Sequence, residues 1–493
     1  MTVTSPDIIE TVRGGAAGSK IAAFFDLDGT LVRGFTAESI LRDQLRRGQI
    51  GPAELARLVA AVPDGHEGIG RIGIEALRGR TVDEMTDVGR RTFVNQIAGA
   101  IRPEARNLVR AHLHMGHTVV IASSATRIQI EPVARDLGIP HIVCTELEAD
   151  GGVLTGHSAA GLLWGRPKAA AVRAFADAHE IDLEGSYGYA NGAEDVAFLS
   201  TVGHPYAVNP DPGLIHAADD RGWPILTLRE TPSPGLRAYL GTLAGLIGVN
   251  TGLATGIGCG WLTGDRRLGI NAGIGLAADL AMAFTGVRLD VTGAEILEKA
   301  RPAVFIANHQ SSLDALVLAS LLRHDFTAVA KKEARLDPRM IVIGATVDPV
   351  WIDRSDLTKA KASLDAAVRR LHDGTSILIL PEGTRMPTPT PGRFKKGAFR
   401  IAMQAGVPIV PIVLRNTGEL AWRRSLVVNP GTVEVAVLEP ITTGDWELAD
   451  LDRRIAEVRQ LFVDTLENWP RTLTGDGPAA WARGPLARPA LQP

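Results

Sequence analysis

The sequence predicts an α/β protein in two halves, and three patterns carry that expectation. Short apolar runs at 21–25, 119–122, 303–307 and 377–379 are each followed closely by a polar, chemistry-bearing stretch. Runs of that length read as strands buried on both faces, the habit of parallel sheets, whose functional groups gather beyond the strands' carboxyl ends. From Ala303 onward, strand and helix patterns alternate, which implies layers of helices on a sheet. Between the halves lies a Gly-rich apolar stretch, 238–264, without Lys, Arg, Asp or Glu. At 493 residues the chain exceeds one ordinary domain.

Composition narrows the function classes. The net charge is -3, so no global basic field points to nucleic acid. Cys144 and Cys259 match no metal or redox spacing, which fits a reduced intracellular compartment. The N-terminus lacks the basic and apolar regions of a secretory signal, so the first domain is expected to be cytoplasmic.

Residues 1–18 are polar and Gly-rich and are expected to be flexible. The strand 21–25 then runs into Asp26-Leu27-Asp28-Gly29-Thr30. Two carboxylates at i and i+2, with Gly29 permitting a tight turn, suit an attacking aspartate beside a proton-transferring one. The strand 119–122 ends in Ser123, and Gly165-Arg166-Pro167-Lys168 and Asn191-Gly192-Ala193-Glu194-Asp195 follow. These motifs resemble the haloacid dehalogenase-like phosphatases. Glu131-Pro132-Val133-Ala134 and Asp150-Gly151-Gly152-Val153-Leu154-Thr155-Gly156 resemble the phosphoserine-phosphatase-like branch.

That resemblance implies a doubly wound, Rossmann-like hydrolase domain over 19–228, with a helical cap over about 33–100. It implies Asp26 as the nucleophile forming an aspartyl-phosphate and Asp28 as general acid/base. Ser123 would bind phosphate, and Lys168 would neutralise the phosphoryl group. Mg²⁺ would be held by Asp26, the Asp28 main-chain carbonyl, Asn191 and Asp195. Asn191 departs from the family pattern, because a neutral oxygen donor stands where a carboxylate is usual. Mg²⁺ prefers hard, charged oxygens, so weaker metal binding is expected.

Residues 229–236, with Pro232 and Pro234, read as a linker. The segment 237–288 is long enough for a bilayer span, which needs about 20 apolar residues. Its G-x-x-x-G spacings, Gly241/Gly245, Gly252/Gly256, Gly256/Gly260 and Gly269/Gly273, favour close helix packing. Asp279 makes a second full span costly unless it faces protein or the interface. A helical hairpin in or on one leaflet is therefore expected, with both flanking domains on the cytoplasmic face of the cell membrane. The alternative is a soluble helical pair covering the second domain's sheet.

In the second half, Asn308-His309-Gln310-Ser311-Ser312-Leu313-Asp314 lies between a strand and the start of a helix N-capped by Ser311 or Ser312. Asp314 falls in the first turn, where it can reach back to His309. A neutral histidine hydrogen-bonded to a carboxylate on one nitrogen can deprotonate an alcohol with the other. Leu380-Pro381-Glu382-Gly383-Thr384-Arg385 and Val407-Pro408-Ile409-Val410-Pro411 follow, with Trp351-Ile352-Asp353-Arg354 before them.

Together these blocks resemble the glycerol-phosphate acyltransferase superfamily, specifically the lysophosphatidic acid (1-acylglycerol-3-phosphate) acyltransferases. The resemblance implies an α/β glycerolipid acyltransferase domain over 289–470, with His309 and Asp314 as the catalytic pair. Glu382, Gly383, Thr384 and Arg385 would bind the acceptor's phosphate with Arg354. Acyl-CoA or acyl carrier protein would be the donor, and no metal is required. Lys331 and the basic run Arg393-Phe394-Lys395-Lys396-Gly397 are further anion contacts or solvated loop charges. A helix is expected over 451–466 and a disordered tail over 471–493.

The whole reads as a membrane-associated acyltransferase that makes phosphatidic acid, fused to a phosphatase-like domain of open substrate. Two alternatives stand: another lysophospholipid or glycolipid acceptor, or chiefly a phosphomonoester phosphatase, acting on phosphoserine or a lipid phosphate, with a membrane-anchoring second domain. Oligomeric state is open.

Overall fold

Parallel pairing of short, fully buried strands builds a sheet in each half of the chain. The computed structural model describes residues 2–51, 65–229, 234–331, 349–352 and 357–470. They divide into two units between Ser233 and Pro234.

The first unit holds β1 (Thr2–Thr4), β2 (Ile21–Phe25), β3 (Thr118–Thr126), β4 (His141–Thr145), β5 (Leu147–Asp150), β6 (Val153–Ser158), β7 (Asp182–Ala190), β8 (His204–Val208) and β9 (Ile225–Thr227). Seven of them form one sheet in the order β1-β9-β8-β7-β2-β3-β4, every neighbouring pair parallel. The chain leaves β2 toward β3 and β4 on one side and returns to its other side with β7. The carboxyl end of β2 is thus a topological switch point, where open α/β sheets place their ligands.

All five β2 residues are buried, as strands covered on both faces require. Ala22 and Phe24 pack with Val172 and Phe198 on one face. On the other, Phe25 stacks on Tyr189 with ring centres 4.6 Å apart. Helices Thr36–Arg46, Gly65–Glu75 and Val82–Asn95 lie between β2 and β3 in the chain. Residues 52–64 of the expected cap fall outside the described residues.

Residues 1–18, expected to be flexible, are instead largely built into the fold. β1 pairs with β9, and helix Ser5–Gly14 follows. The reason is an amphipathic turn: Ile8 and Val12, four apart on one helical face, are both fully buried. Thr4 and Asp7 close its N-terminus as a capping box. Polar composition masked a two-residue apolar stripe.

The second unit holds β10 (Val287–Thr292), β11 (Val304–Ala307), β12 (Phe326–Lys331), β13 (Val350–Ile352), β14 (Ser376–Ile379), β15 (Ile409–Leu414) and β16 (Gly431–Val437), ordered β10-β16-β15-β11-β14-β12-β13. Only β15 and β16 pair antiparallel. Successive residues of β11 face opposite cores. Phe305 and Ala307 pack with helix Leu313–Leu322, and Val304 and Ile306 pack with helices Leu357–His372, Gly397–Ala405 and Leu451–Glu467. The tail 471–493 lies outside the described residues.

Helices Leu236–Thr263 and Arg266–Thr285 form the expected hairpin within this second unit. Gly264 turns the chain at φ 70°, and Asp265 caps the second helix by accepting from the Leu268 N–H at 3.0 Å. By length and composition both helices can cross a membrane. The second is the more buried of the two and packs on helix Leu313–Leu322. Asp279 is exposed but paired: both its carboxylate oxygens accept from Arg323, at 3.0 and 2.8 Å. The first helix leaves Leu236, Leu240, Leu243, Ile247 and Trp261 more than half exposed.

The hairpin's glycines are places of backbone contact. A Cβ on Gly256 would sit 2.5 Å from the Gly273 Cα, while one on Gly258 would meet open space. Gly256→Ala should therefore lower the melting temperature of the second unit, by overpacking of about 1–3 kcal/mol. Gly258→Ala should leave it unchanged or slightly raised, since alanine is the better helix former. Thermal denaturation of the two variants side by side checks the pair.

Candidate active sites

Each sheet presents one polar cluster at its strands' carboxyl ends. In the second unit the cluster starts at Asn308, the residue after β11. Its amide extends the β11–β15 pairing, accepting from the Leu414 N–H and donating to the Leu414 carbonyl, each at 2.8 Å. The next four residues loop into helix Leu313–Leu322, where Asp314 is fully buried. One oxygen of Asp314, Oδ2, accepts from His309 Nδ1 at 2.8 Å, from the Gln310 N–H at 2.8 Å and from the Ser311 N–H at 3.0 Å. A carboxylate partner on Nδ1 puts the proton there and leaves Nε2 as a lone-pair acceptor. The imidazole is 20% exposed, so that acceptor is open to a substrate.

Glu382 and its turn meet the same loop. Glu382 Oε1 accepts from the His309 N–H at 3.2 Å, and the Met386 N–H donates to the His309 carbonyl at 2.7 Å. Gly383, at φ 69°, makes the tight turn that brings Arg385 alongside, with Thr384 exposed at its tip. Arg354 lies outside the described residues, as does the Lys331 side chain.

In the first unit, Asp26 follows β2, Ser123 lies near the end of β3, and Asn191 follows β7. Lys168 comes from the first turn of helix Arg166–Ala178. Its buried ammonium lies 2.7 Å from Asp26 Oδ1 and 2.7 Å from Asp195 Oδ1, so two carboxylates converge on one point. The Asp28 carboxylate accepts from the Thr36 N–H at 2.8 Å and the Thr36 hydroxyl at 3.1 Å. Asn191 lies against the turn after Asp28. A Cβ on Gly29 would be 2.2 Å from its Nδ2, so only glycine fits there, at φ 80°. Ser123, buried, accepts from the Ala125 N–H at 3.3 Å.

Known families match the two halves separately. A model described as haloacid dehalogenase-like hydrolase matches residues 23–200, and one described as acyltransferase matches 288–415. A probable phosphatase of Mycobacterium tuberculosis is 30% identical over 251 residues, 48% of this chain and 87% of its own length. An uncharacterized acyltransferase of Schizosaccharomyces pombe is 35% identical over 211 residues, 42% of this chain and 74% of its own. The chain belongs to both families, joined in tandem. A 1-acyl-sn-glycerol-3-phosphate acyltransferase of Cocos nucifera is 35% identical over 183 residues, 37% of this chain. The chain spans 59% of that relative's length.

In the hydrolase half, burial perturbs Asp28. Desolvation lifts the Asp28 carboxyl to about 7, with the Asp26 charge adding to it and the Thr36 hydrogen bonds opposing. Burial opposes the Lys168 charge, but Asp195 and Asp26 more than offset this and hold its pKa above the ordinary lysine value. Burial also raises Asp195, against the pull of Lys168.

The oxygens present fit Mg²⁺, since two converging carboxylates suffice for an ion that keeps several waters. Among the described residues no three His, Cys, Asp or Glu side chains form a metal cluster. The remaining protein oxygens would be the Asp28 carbonyl and the Asn191 amide. The latter already accepts from the Thr30 hydroxyl at 3.2 Å and keeps one lone pair. Bound there, Mg²⁺ would neutralise phosphoryl charge.

The acyltransferase half contains one carboxyl of a different kind. Burial lifts Glu382 to about 8, against backbone hydrogen bonds from His309 and Gly392 and with Asp314 adding repulsion. Glu382 is therefore neutral at pH 7 and acts as a brace between two loops.

Several contributors carry no motif. Asn308 and Ser311 fasten the His309 loop, the latter by a 2.6 Å hydrogen bond to the Ala421 carbonyl. In the hydrolase half, buried Arg102 donates to the Gly29 carbonyl at 3.2 Å. The available signal was a polar residue at the end of an apolar strand, which must find partners when buried.

Two pH effects follow. A carboxyl raised on folding takes up protons in the native state, so stability falls as pH climbs from its unfolded to its folded pKa. Wild-type protein should lose stability relative to Glu382→Gln between about pH 5 and pH 8, by on the order of a few kcal/mol. Melting curves of both proteins over that range check it. Any phosphomonoesterase activity that needs Asp28 protonated should decline above about pH 7, an inflection that Asp28→Asn removes along with most of the rate.

Proposed function

We propose that the acyltransferase half esterifies the free sn-2 hydroxyl of 1-acylglycerol-3-phosphate with an acyl group from a CoA or carrier-protein thioester, making phosphatidic acid. The observation that carries this is the His309–Asp314 pair at 2.8 Å, with His309 Nε2 left open as a base. In this reading His309 takes the hydroxyl proton as the oxygen attacks the thioester carbonyl. The C–S bond then breaks, and the imidazolium returns the proton to the departing thiolate. Asp314 holds the ring and offsets its transient charge, which contributes about 10²–10⁴-fold with the base. Arg385 and Arg354, with Thr384 and the Gly383 backbone, seat the acceptor's phosphate and so align the hydroxyl. The coconut relative's name supports the choice of acceptor.

The substrate would be met at a membrane. The exposed apolar row on helix Leu236–Thr263 supports insertion of the hairpin into a bilayer, with both units on its cytoplasmic face. The hydrolase half, in the same reading, is a Mg²⁺-using phosphomonoesterase. Asp26 attacks phosphorus, Asp28 protonates the leaving oxygen, and Lys168 and Ser123 hold the phosphoryl oxygens. Its substrate is open, and a second lysophospholipid or a glycolipid remains the competing acceptor for the other half.

His309→Ala should lower acyl transfer from labelled acyl-CoA to lysophosphatidate by about 10²–10⁴-fold, measured in detergent or vesicles. Asp26→Asn should abolish phosphate release while acyl transfer continues at the wild-type rate. Full acyl transfer by His309→Ala would sink the reading.

A further inference from the structure

Arg385 does not stand alone beside His309. The segment that starts at the end of β15 also returns to the loop that carries His309. Asn308 binds it at Leu414, the Ser311 hydroxyl donates to the Ala421 carbonyl at 2.6 Å, and Gly418 approaches Gln310. Two residues beyond Ala421 come Arg423 and Arg424. In the Glu382 turn, the Met386 N–H is bound to the His309 carbonyl, which fixes Arg385 one residue earlier. Two chain segments, each tied to the loop that carries the base, thus bring three guanidinium groups together.

Their charges are unbalanced within the protein. Elsewhere in this unit arginines meet carboxylates: Arg323 with Asp279, Arg415 with Glu434, Arg454 with Asp445. Among the described residues, Arg385, Arg423 and Arg424 have no such partner. Arg423 is partly buried, and its pKa is lowered by desolvation and by the charges of Arg424 and Arg385. Mutually repelling, partly buried cations held near His309 gain stability from an anion supplied from outside.

We propose that Arg423 and Arg424 complete, with Arg385, a seat for a substrate phosphate beside His309. The inference rests on the acyl-transfer reading and deepens it. A guanidinium suits this role because its planar donors grip two phosphate oxygens at once. Two substrates of the reaction carry phosphate: the acceptor's monoester and the nucleotide phosphates of CoA.

The test is steady-state kinetics on the full chain in detergent micelles with lysophosphatidate and acyl-CoA, comparing wild type, Arg423→Ala, Arg423→Lys and the Arg423→Ala/Arg424→Ala double variant. Arg423→Ala should raise one KM about 10- to 100-fold, the loss expected for a charge-assisted contact, with kcat little changed. The double variant should raise it further, and Arg423→Lys should fall between. Relief of repulsion should keep the melting temperature at or above wild type.

A rise in the lysophosphatidate KM that persists with an acyl-pantetheine donor assigns the seat to the acceptor. A rise in the acyl-CoA KM that disappears with acyl-pantetheine, which lacks the nucleotide phosphates, assigns it to the donor. Both KM values within about twofold of wild type in the double variant would overturn the inference while the wild type remains active. A wild type inactive with every donor would instead overturn the acyl-transfer reading, and this inference with it.

Discussion

Asp314 Oδ2 gathers three donors, and the candidate site of the second unit is built around that single atom. Two of the donors are backbone N–H groups of the loop, and the third is the imidazole. A loop between a strand and a helix ordinarily leaves N–H groups unpaired at the helix start. Here the carboxylate that satisfies them also fixes the histidine tautomer. The same oxygen folds the loop and orients His309. Because it is buried at the root of helix Leu313–Leu322, its position is set by the core on which that helix packs.

Two further segments clamp the loop. Neutral Glu382 braces the His309 backbone through one oxygen, and Ser311 and Asn308 bind the chain that leaves β15. A carboxyl kept uncharged by burial serves as a hydrogen-bonding strut without adding negative charge to the loop. The hydrolase half solves a related problem with charge instead. Lys168 sits between Asp26 and Asp195, compensating two buried acids that would otherwise repel.

The hairpin shows how small residues distribute surface. Glycines at 252, 256, 269 and 273 let the two helices meet backbone to backbone, so their large side chains are left to face outward. Helix Arg266–Thr285 directs Asp279, Asn271 and Arg267 toward partners on the catalytic domain, Arg323 and Asp325. Helix Leu236–Thr263 is left with its apolar row outside. The fold therefore gives one helix to the domain and presents the other.

The sequence by itself determined the two sheets, the hairpin and the motif residues, because buried strands, uncharged runs and strand-end acids are local patterns. His309 with Asp314, and Asp26 with Asp28, are each close in the chain, so a loop of fixed length brings them together. Tertiary structure alone decided what meets across long separations. Lys168 reaches Asp26 from 142 residues away, Ser311 meets Ala421 from 110, and Arg423 feels the charge of Arg385 from an unrelated segment. It also decided that residues 1–18 fold, because the two-residue stripe of Ile8 and Val12 acquires value only against a finished core. Burial and neighbouring charge, which lift Glu382 to about 8 and Asp28 to about 7, belong to the packed protein, since a side chain's solvent is known only once every other segment has taken its place.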